Sequence, residues 1–214
     1  MLGSVRLGVH PTRPGDAGRR VTFVTLFAID RTSTSMTKHW LRRVAPAGIL
    51  IAALGCSQAP DWREMRPAGM HLAVAMPCRP SSHERELQLA GQPVSMRLFA
   101  CQSQGATFGL GHVRLADATR AGAMLTALGE AARANVRAAA QDGEPAQVPG
   151  MTPLPQARQW RWTGTRPDGQ AVTAWVTVFA YGPNIYQATV VGTAVDEALV
   201  RHFRSALAVR PEAQ

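Results

Sequence analysis

The chain has 214 residues, 46% of them apolar and 17% charged, which suits one globular domain of ordinary size or two very small ones. Its net charge of +9 suggests a nucleic-acid partner only until the charge is divided along the chain. Residues 1–55 carry one Lys and seven Arg against two Asp, a net of +6, whereas residues 56–214 carry fifteen Arg and no Lys against twelve acids, a net of +3. In that second part Arg and acidic residues are interspersed rather than gathered in a basic stripe, which argues against nucleic-acid binding.

The excess charge belongs to a leader. Met36-Thr37-Lys38-His39-Trp40-Leu41-Arg42-Arg43 is a short positive segment, and the uncharged, mainly apolar residues Val44 to Leu54 follow it up to Gly55-Cys56. A positive flank, a short apolar run and a small residue before the cut make an export signal over 36–55. The apolar run falls short of the roughly 20 residues that a membrane-spanning helix needs, and Pro46 and Gly48 weaken it further. Residues 1–35 lie upstream of where such a signal should begin. They read as an extension ahead of a start at Met36, with a cytoplasmic tail as the alternative.

Residues 56–69 are expected to form a tether, with Pro60, Pro67 and a Trp62 that packs on the domain. The domain itself is expected over 70–210. His71–Cys78 alternates with Leu72, Val74, Met76 and Cys78 on one side, as a strand does, and Pro77 and Pro80 end it. Glu86–Ala90 is a short second strand, Val94–Gln102 a third after a turn at Gly91-Gln92, and Thr107–Leu115 a fourth. Gly109 and Gly111 within the fourth suggest a bulge or a close backbone approach.

The period then changes from two to 3.6. Asp117 is placed to cap a helix running to about Ala140, with Ala121, Leu125, Leu128, Ala132, Val136 and Ala139 on one face. Gln141–Gln156, with four prolines and two glycines, is a loop. Arg158–Thr165 and Ala171–Tyr181 flank a tight turn at Arg166-Pro167-Asp168-Gly169-Gln170, and Ile185–Gly192 is a further strand. A last helix from Val195 or Asp196 to about Leu207 buries Leu199, Val200, Phe203 and Leu207. The fold class is therefore α+β: a largely antiparallel sheet of six or seven strands covered by two main helices.

Two resemblances add to this. Ala53-Leu54-Gly55-Cys56 resembles the lipobox of bacterial lipoproteins, although Ala53 stands where Leu is commonest. The resemblance implies that Cys56 receives a diacylglycerol and becomes the new, acylated N-terminus, and Ser57 implies sorting to an outer membrane. Plain secretion and an uncleaved N-terminal anchor are the alternatives. The strand Gly69–Pro77, the hairpin Val176–Phe179 with Ile185–Gly192, and the ending Ala198–Leu207 together resemble the family of small exported domains that contains the photosystem accessory protein PsbP and its Ran-binding relative. That resemblance spans about residues 67–210 and implies a binding or assembly module rather than an enzyme.

Candidate sites are few. His71, His83, His112 and His202 stand apart with no metal-ligand spacing, so no metal or other cofactor is expected. Ser205 lacks a nucleophile-elbow motif, and no Asp or Glu pair is marked. Cys78 and Cys101 are the only thiols besides Cys56. In an oxidising compartment they have one intramolecular pairing available, and strands about 4.8 Å apart would bring them within bridging reach. Two buried, unpaired cysteines remain the alternative. Trp160, Trp162 and Trp175 fall on adjoining strands, either as core beneath a helix or as a binding surface rimmed by Arg161 and Arg166.

The function expected from the sequence is a non-catalytic envelope lipoprotein domain acting in binding or assembly. Its expected partners are the membrane, through the Cys56 anchor, and an envelope protein or peptide. A small-ligand or lipid-binding protein is the second reading, and an envelope hydrolase the third.

Overall fold

A computed structural model describes residues 59–210. The leader, the upstream extension and Cys56 lie outside the described residues. Among the described residues ten strands and two α-helices follow in chain order: β1 (Arg63–Met65), β2 (Leu72–Met76), β3 (Ser81–Leu89), β4 (Gln92–Ser103), β5 (Ala106–Arg114), α1 (Ala121–Asn135), β6 (Glu144–Pro145), β7 (Arg158–Thr165), β8 (Ala171–Tyr181), β9 (Asn184–Gly192), α2 (Glu197–Ser205) and β10 (Ala208–Val209). They form an α+β fold. A seven-stranded sheet runs β3-β4-β5-β9-β8-β7-β6, and a small sheet runs β1-β2-β10. Every pairing is antiparallel.

The large sheet is the middle layer, because both its faces are apolar. On one face Trp160, Val176, Thr189 and Gly109 lie in register across β7, β8, β9 and β5, and α1 packs there with Met124, Leu125, Leu128 and Ala132 buried. On the other face Phe108 meets Phe203 of α2 edge-on at 5.4 Å. The Tyr186 hydroxyl on this face donates to the carbonyl of Met70, just ahead of β2. The small sheet and α2 together therefore cover the second face.

A disulfide joins the two sheets. Cys78, in the turn after β2, is bonded to Cys101 of β4, with Cα atoms 5.9 Å apart. Its logic differs from the one the sequence suggested, since β2 and β4 are not neighbours in one sheet. The bridge closes a loop with a sequence separation of 23, worth about 3 kcal/mol of chain entropy.

Several boundaries also differ from expectation. Trp62 packs on the domain as expected, its ring centroid 4.1 Å from that of His202, but Arg63–Met65 of the expected tether form β1 and pair with β2. β3 begins at Ser81 rather than Glu86. Its first residues are exposed and polar, which hides them from an apolar-alternation argument. The β3–β4 turn is Ala90-Gly91, both at positive φ (48° and 75°), as a two-residue hairpin turn requires.

The register of β5 runs unbroken on both sides, so Gly109 and Gly111 mark no bulge. A Cβ on Gly111 would lie 2.5 Å from the Met96 side chain, so the glycine makes room for a core methionine. The Asp117 side chain accepts from the Thr119 N–H at 2.9 Å and caps a short 3₁₀ turn, Ala118–Arg120, that leads into α1.

That helix stops at Asn135, not Ala140. Arg137 turns the chain at φ 47°, and the Val136 carbonyl accepts from the Thr165 N–H at 2.8 Å. Such an approach demands glycine at 164, where a Cβ would sit 1.9 Å from the Val136 oxygen. Gly164→Ala is therefore expected to lower stability by about 1–3 kcal/mol through overpacking, measured by urea denaturation. A midpoint unchanged from wild type would contradict the close approach.

Candidate functional site

β7 carries the residues that the sequence singled out, and strand alternation decides where each goes. Trp160 and Trp162 face α1 and stack on each other, with ring centroids 5.1 Å apart. Trp162 is 2% exposed and its Nε1 is buried without a hydrogen-bond partner among the described residues. Trp160 is half-buried. Its ring sits in a slot between two glycines, since a Cβ on Gly129 would come within 2.8 Å of it and one on Gly143 within 2.3 Å. Beside this pair an open cleft of about 280 Å³ is lined by Gly129, Glu130, Arg133, Arg158 and Trp160, among others. Arg133 and Arg158 spend one N–H each on the carbonyls of Ala138 and Gly143.

The neighbouring position on β7 points the other way. Arg161 lies opposite Trp175 in register, with its guanidinium carbon 5.1 Å from the Trp175 ring centroid, a cation–π arrangement. It also reaches Glu197 at the start of α2, 3.3 Å away. Trp175 is 8% exposed. A second open cleft, of about 330 Å³, takes in Asp142, Glu144, Trp160, Arg161, Trp175 and Arg204. Arg166 belongs to neither cleft. Its N–H and side chain are both bonded to Gln170, across the β7–β8 turn.

The structure thus brings Trp160 and Trp162 together, pairs Trp175 with Arg161 on the opposite face, and leaves Arg166 at a hairpin end. The five residues do not make one surface. Trp162 and Trp175 are buried and touch the clefts only at their edges, whereas Trp160 is half-buried and lines both.

A second grouping is not visible in the sequence, where the histidines stand apart. The register sets His112 of β5 beside Tyr186 of β9, and Arg114 beside Asn184. Asn184 donates from Nδ2 to the Tyr181 carbonyl at 3.3 Å, so its Oδ1 faces His112 Nε2 as an acceptor at 3.0 Å. His112 therefore carries its proton on Nε2. Burial pushes the His112 pKa below its ordinary value of 6.5, against the opposing effect of the Asn184 hydrogen bond, and nearby Arg97, Arg114 and His71 lower it further. Burial also pushes the Tyr186 phenol up. Only the pairing of β5 with β9, separated by more than seventy residues, brings these groups together, and nothing local in the sequence announces it.

Ser205 donates its hydroxyl to the His202 backbone carbonyl at 3.0 Å, and both described cysteines are in the disulfide. Among the described residues no cluster of three His, Cys, Asp or Glu side chains is placed to hold a metal ion. The chain matches no protein-family model and no curated protein, so its function has to be argued from its own residues.

The His112 environment predicts a pH dependence. Its pKa is lowered in the fold, so the unfolded chain takes up a proton first as the pH falls. The stability that neutral His112 contributes is complete above about pH 7, declines as the pH drops through 6.5, and levels off below the folded-state pKa. Urea midpoints measured between pH 8 and pH 5 should fall more steeply for the wild type than for His112→Gln. Equal slopes would contradict the assignment.

Proposed function

We propose that the protein is an exported, membrane-tethered domain of the cell envelope that works by binding or assembly rather than by catalysis. The observation that carries this reading is the Cys78–Cys101 bridge. Disulfides form and persist outside the reducing cytosol, and here the bridge fastens one layer of the fold to another. It agrees with the export leader and with Cys56 as the site of lipid attachment. Among the described residues no helix is long and apolar enough to cross a membrane, so in this reading the attachment rests on the acyl chains, each methylene of which contributes about 0.8 kcal/mol when buried. Ser57 favours the outer membrane of a two-membrane cell.

The binding part of the reading is supported by the cleft between α1 and β7. It has an aromatic floor, Trp160, and polar groups with capacity to spare, Glu130, Arg133 and Arg158. An apolar floor with a charged rim suits a peptide segment or a protein surface, and its open form favours that partner over an enclosed small ligand. Of the groups singled out in the sequence, the Ser205 hydroxyl donates to a backbone carbonyl and Cys78 and Cys101 are bonded to each other.

Metabolic labelling with a palmitate analogue tests the anchor. The wild-type protein should carry the label and partition into detergent, and Cys56→Ser should lose both while retaining the Cys78–Cys101 bridge. Labelling that survives C56S would overturn the lipoprotein reading.

A further inference from the structure

The two edges of the large sheet are not alike. At one end β6 has two residues, one of them Pro145, a short and proline-blunted edge of the kind that discourages further pairing. At the other end β3 has nine residues, Ser81–Leu89, and among the described residues it pairs only with β4. Its register with β4 runs without interruption from Ser81↔Ala100 to Leu89↔Gln92, so no bulge twists it away. It contains neither proline nor lysine, two of the usual guards of an exposed edge. Ser81, Ser82, His83, Glu84, Glu86 and Gln88 are all exposed.

The hairpin fixes which backbone groups are unused. The two-residue turn at Ala90-Gly91 makes Leu89 and Gln92 a hydrogen-bonded pair, and such pairs then alternate along the ladder. Leu89, Leu87, Arg85, His83 and Ser81 therefore spend their N–H and C=O groups on β4. Pro93, which has no N–H, sits opposite Gln88, at a position where the ladder needs none, in agreement with this phase. The outward groups belong to Ser82, Glu84, Glu86 and Gln88. By strand alternation the side chains of these four residues share one face.

That face selects the occupant. Glu84 accepts from the Ser95 hydroxyl at 2.6 Å, while Arg97, its neighbour in register, donates to the Ala68 carbonyl. Among the described residues neither Glu84 nor Glu86 is in an ion pair. A second copy of β3 is a poor fit. An antiparallel two-fold pairing preserves the faces, so its three central registers set Glu84 against Glu84, Glu84 against Glu86, or Glu86 against Glu86. Like charges directly opposite destabilise a strand pair, and opposite charges stabilise it.

We propose that β3 is a docking edge for an extended segment of another protein, which adds an eighth strand and presents Lys or Arg at alternate positions to Glu84 and Glu86. The backbone groups of Ser82, Glu84, Glu86 and Gln88 hold the segment, and the two carboxylates choose it, as in other strand-addition interfaces. This site is separate from the α1–β7 cleft and does not depend on the lipid anchor.

The test uses the full chain and three synthetic peptides: Thr-Lys-Val-Lys-Val-Lys-Thr, the same peptide with Glu for Lys, and the basic peptide with Pro for its central Lys. Binding is read by calorimetry and by amide hydrogen exchange at residues 81–89. The basic peptide should bind about ten-fold or more tighter than the acidic one and slow exchange at Glu84 and Glu86, and the proline peptide should not bind. Glu86→Pro removes an outward N–H while sparing the β3–β4 ladder, so it should abolish binding with thermal unfolding of the free protein little changed. Should that variant fail to fold, the double variant E84Q/E86Q replaces it and should bring the basic and acidic peptides to within about two-fold of each other. Equal binding of the basic and acidic peptides by the wild type, undiminished binding by a folded E86P, or self-association of the chain through β3 would each overturn the proposal.

Discussion

The Cys78–Cys101 bridge is the constraint on which the layering of this protein rests. The small sheet consists of strands of three, five and two residues, too little to be stable by itself. Yet it must cover the face of the large sheet that carries Phe108, Phe179 and Tyr186, all fully buried. Non-covalent ties help, among them the Tyr186 hydroxyl on the Met70 carbonyl and Phe203 against Phe108. The bridge keeps the small sheet close to its seat even when those contacts open. Because disulfides persist outside the reducing cytosol, the bridge is also the observation on which the proposed export of the domain rests.

The opposite face is governed by close approach instead of a covalent tie. Gly164 admits the Val136 carbonyl, Gly129 and Gly143 admit the Trp160 ring, and Gly111 admits Met96. These glycines let α1 and the chain after it lie against the sheet, and they leave Trp160 as the floor of an open cleft instead of wholly beneath the helix. One face of the sheet is thus sealed by a covalently fastened layer. The other is closed by a helix with an aromatic opening beside it.

Much of this was legible in the sequence, for reasons that can be named. The long strands β4, β5, β8 and β9 carry either clean alternation or two-sided apolar runs, and Asp117 and Asp196 cap the elements they precede. The pairing of Cys78 with Cys101 was reachable by elimination, although the picture of neighbouring strands behind it was not the true one. The short strands β1, β6 and β10 could not be read, because two or three residues carry no period. The polar start of β3 was missed because an edge strand needs no apolar face along its whole length. Alternation phases Trp160 and Trp162 correctly within β7, but only the β7–β8 register, which sets Arg161 opposite Trp175, shows that Trp175 lies on the other face of the sheet. The grouping of His112, Asn184 and Tyr186 depends wholly on which strands become neighbours.

In the proposed reading the domain works in an oxidising compartment, and the cleft beside Trp160 and the open strand edge are its two means of contact. The central claim of that reading is that the bridge exists in the working protein. The most direct measurement is thiol trapping in intact cells: free thiols are alkylated before lysis, disulfides are then reduced, and the newly released thiols receive a second, heavier reagent. Mass spectrometry of the mature, envelope-associated protein should find the second reagent, and not the first, on both Cys78 and Cys101. Finding the first reagent on both cysteines in that fraction would contradict the account.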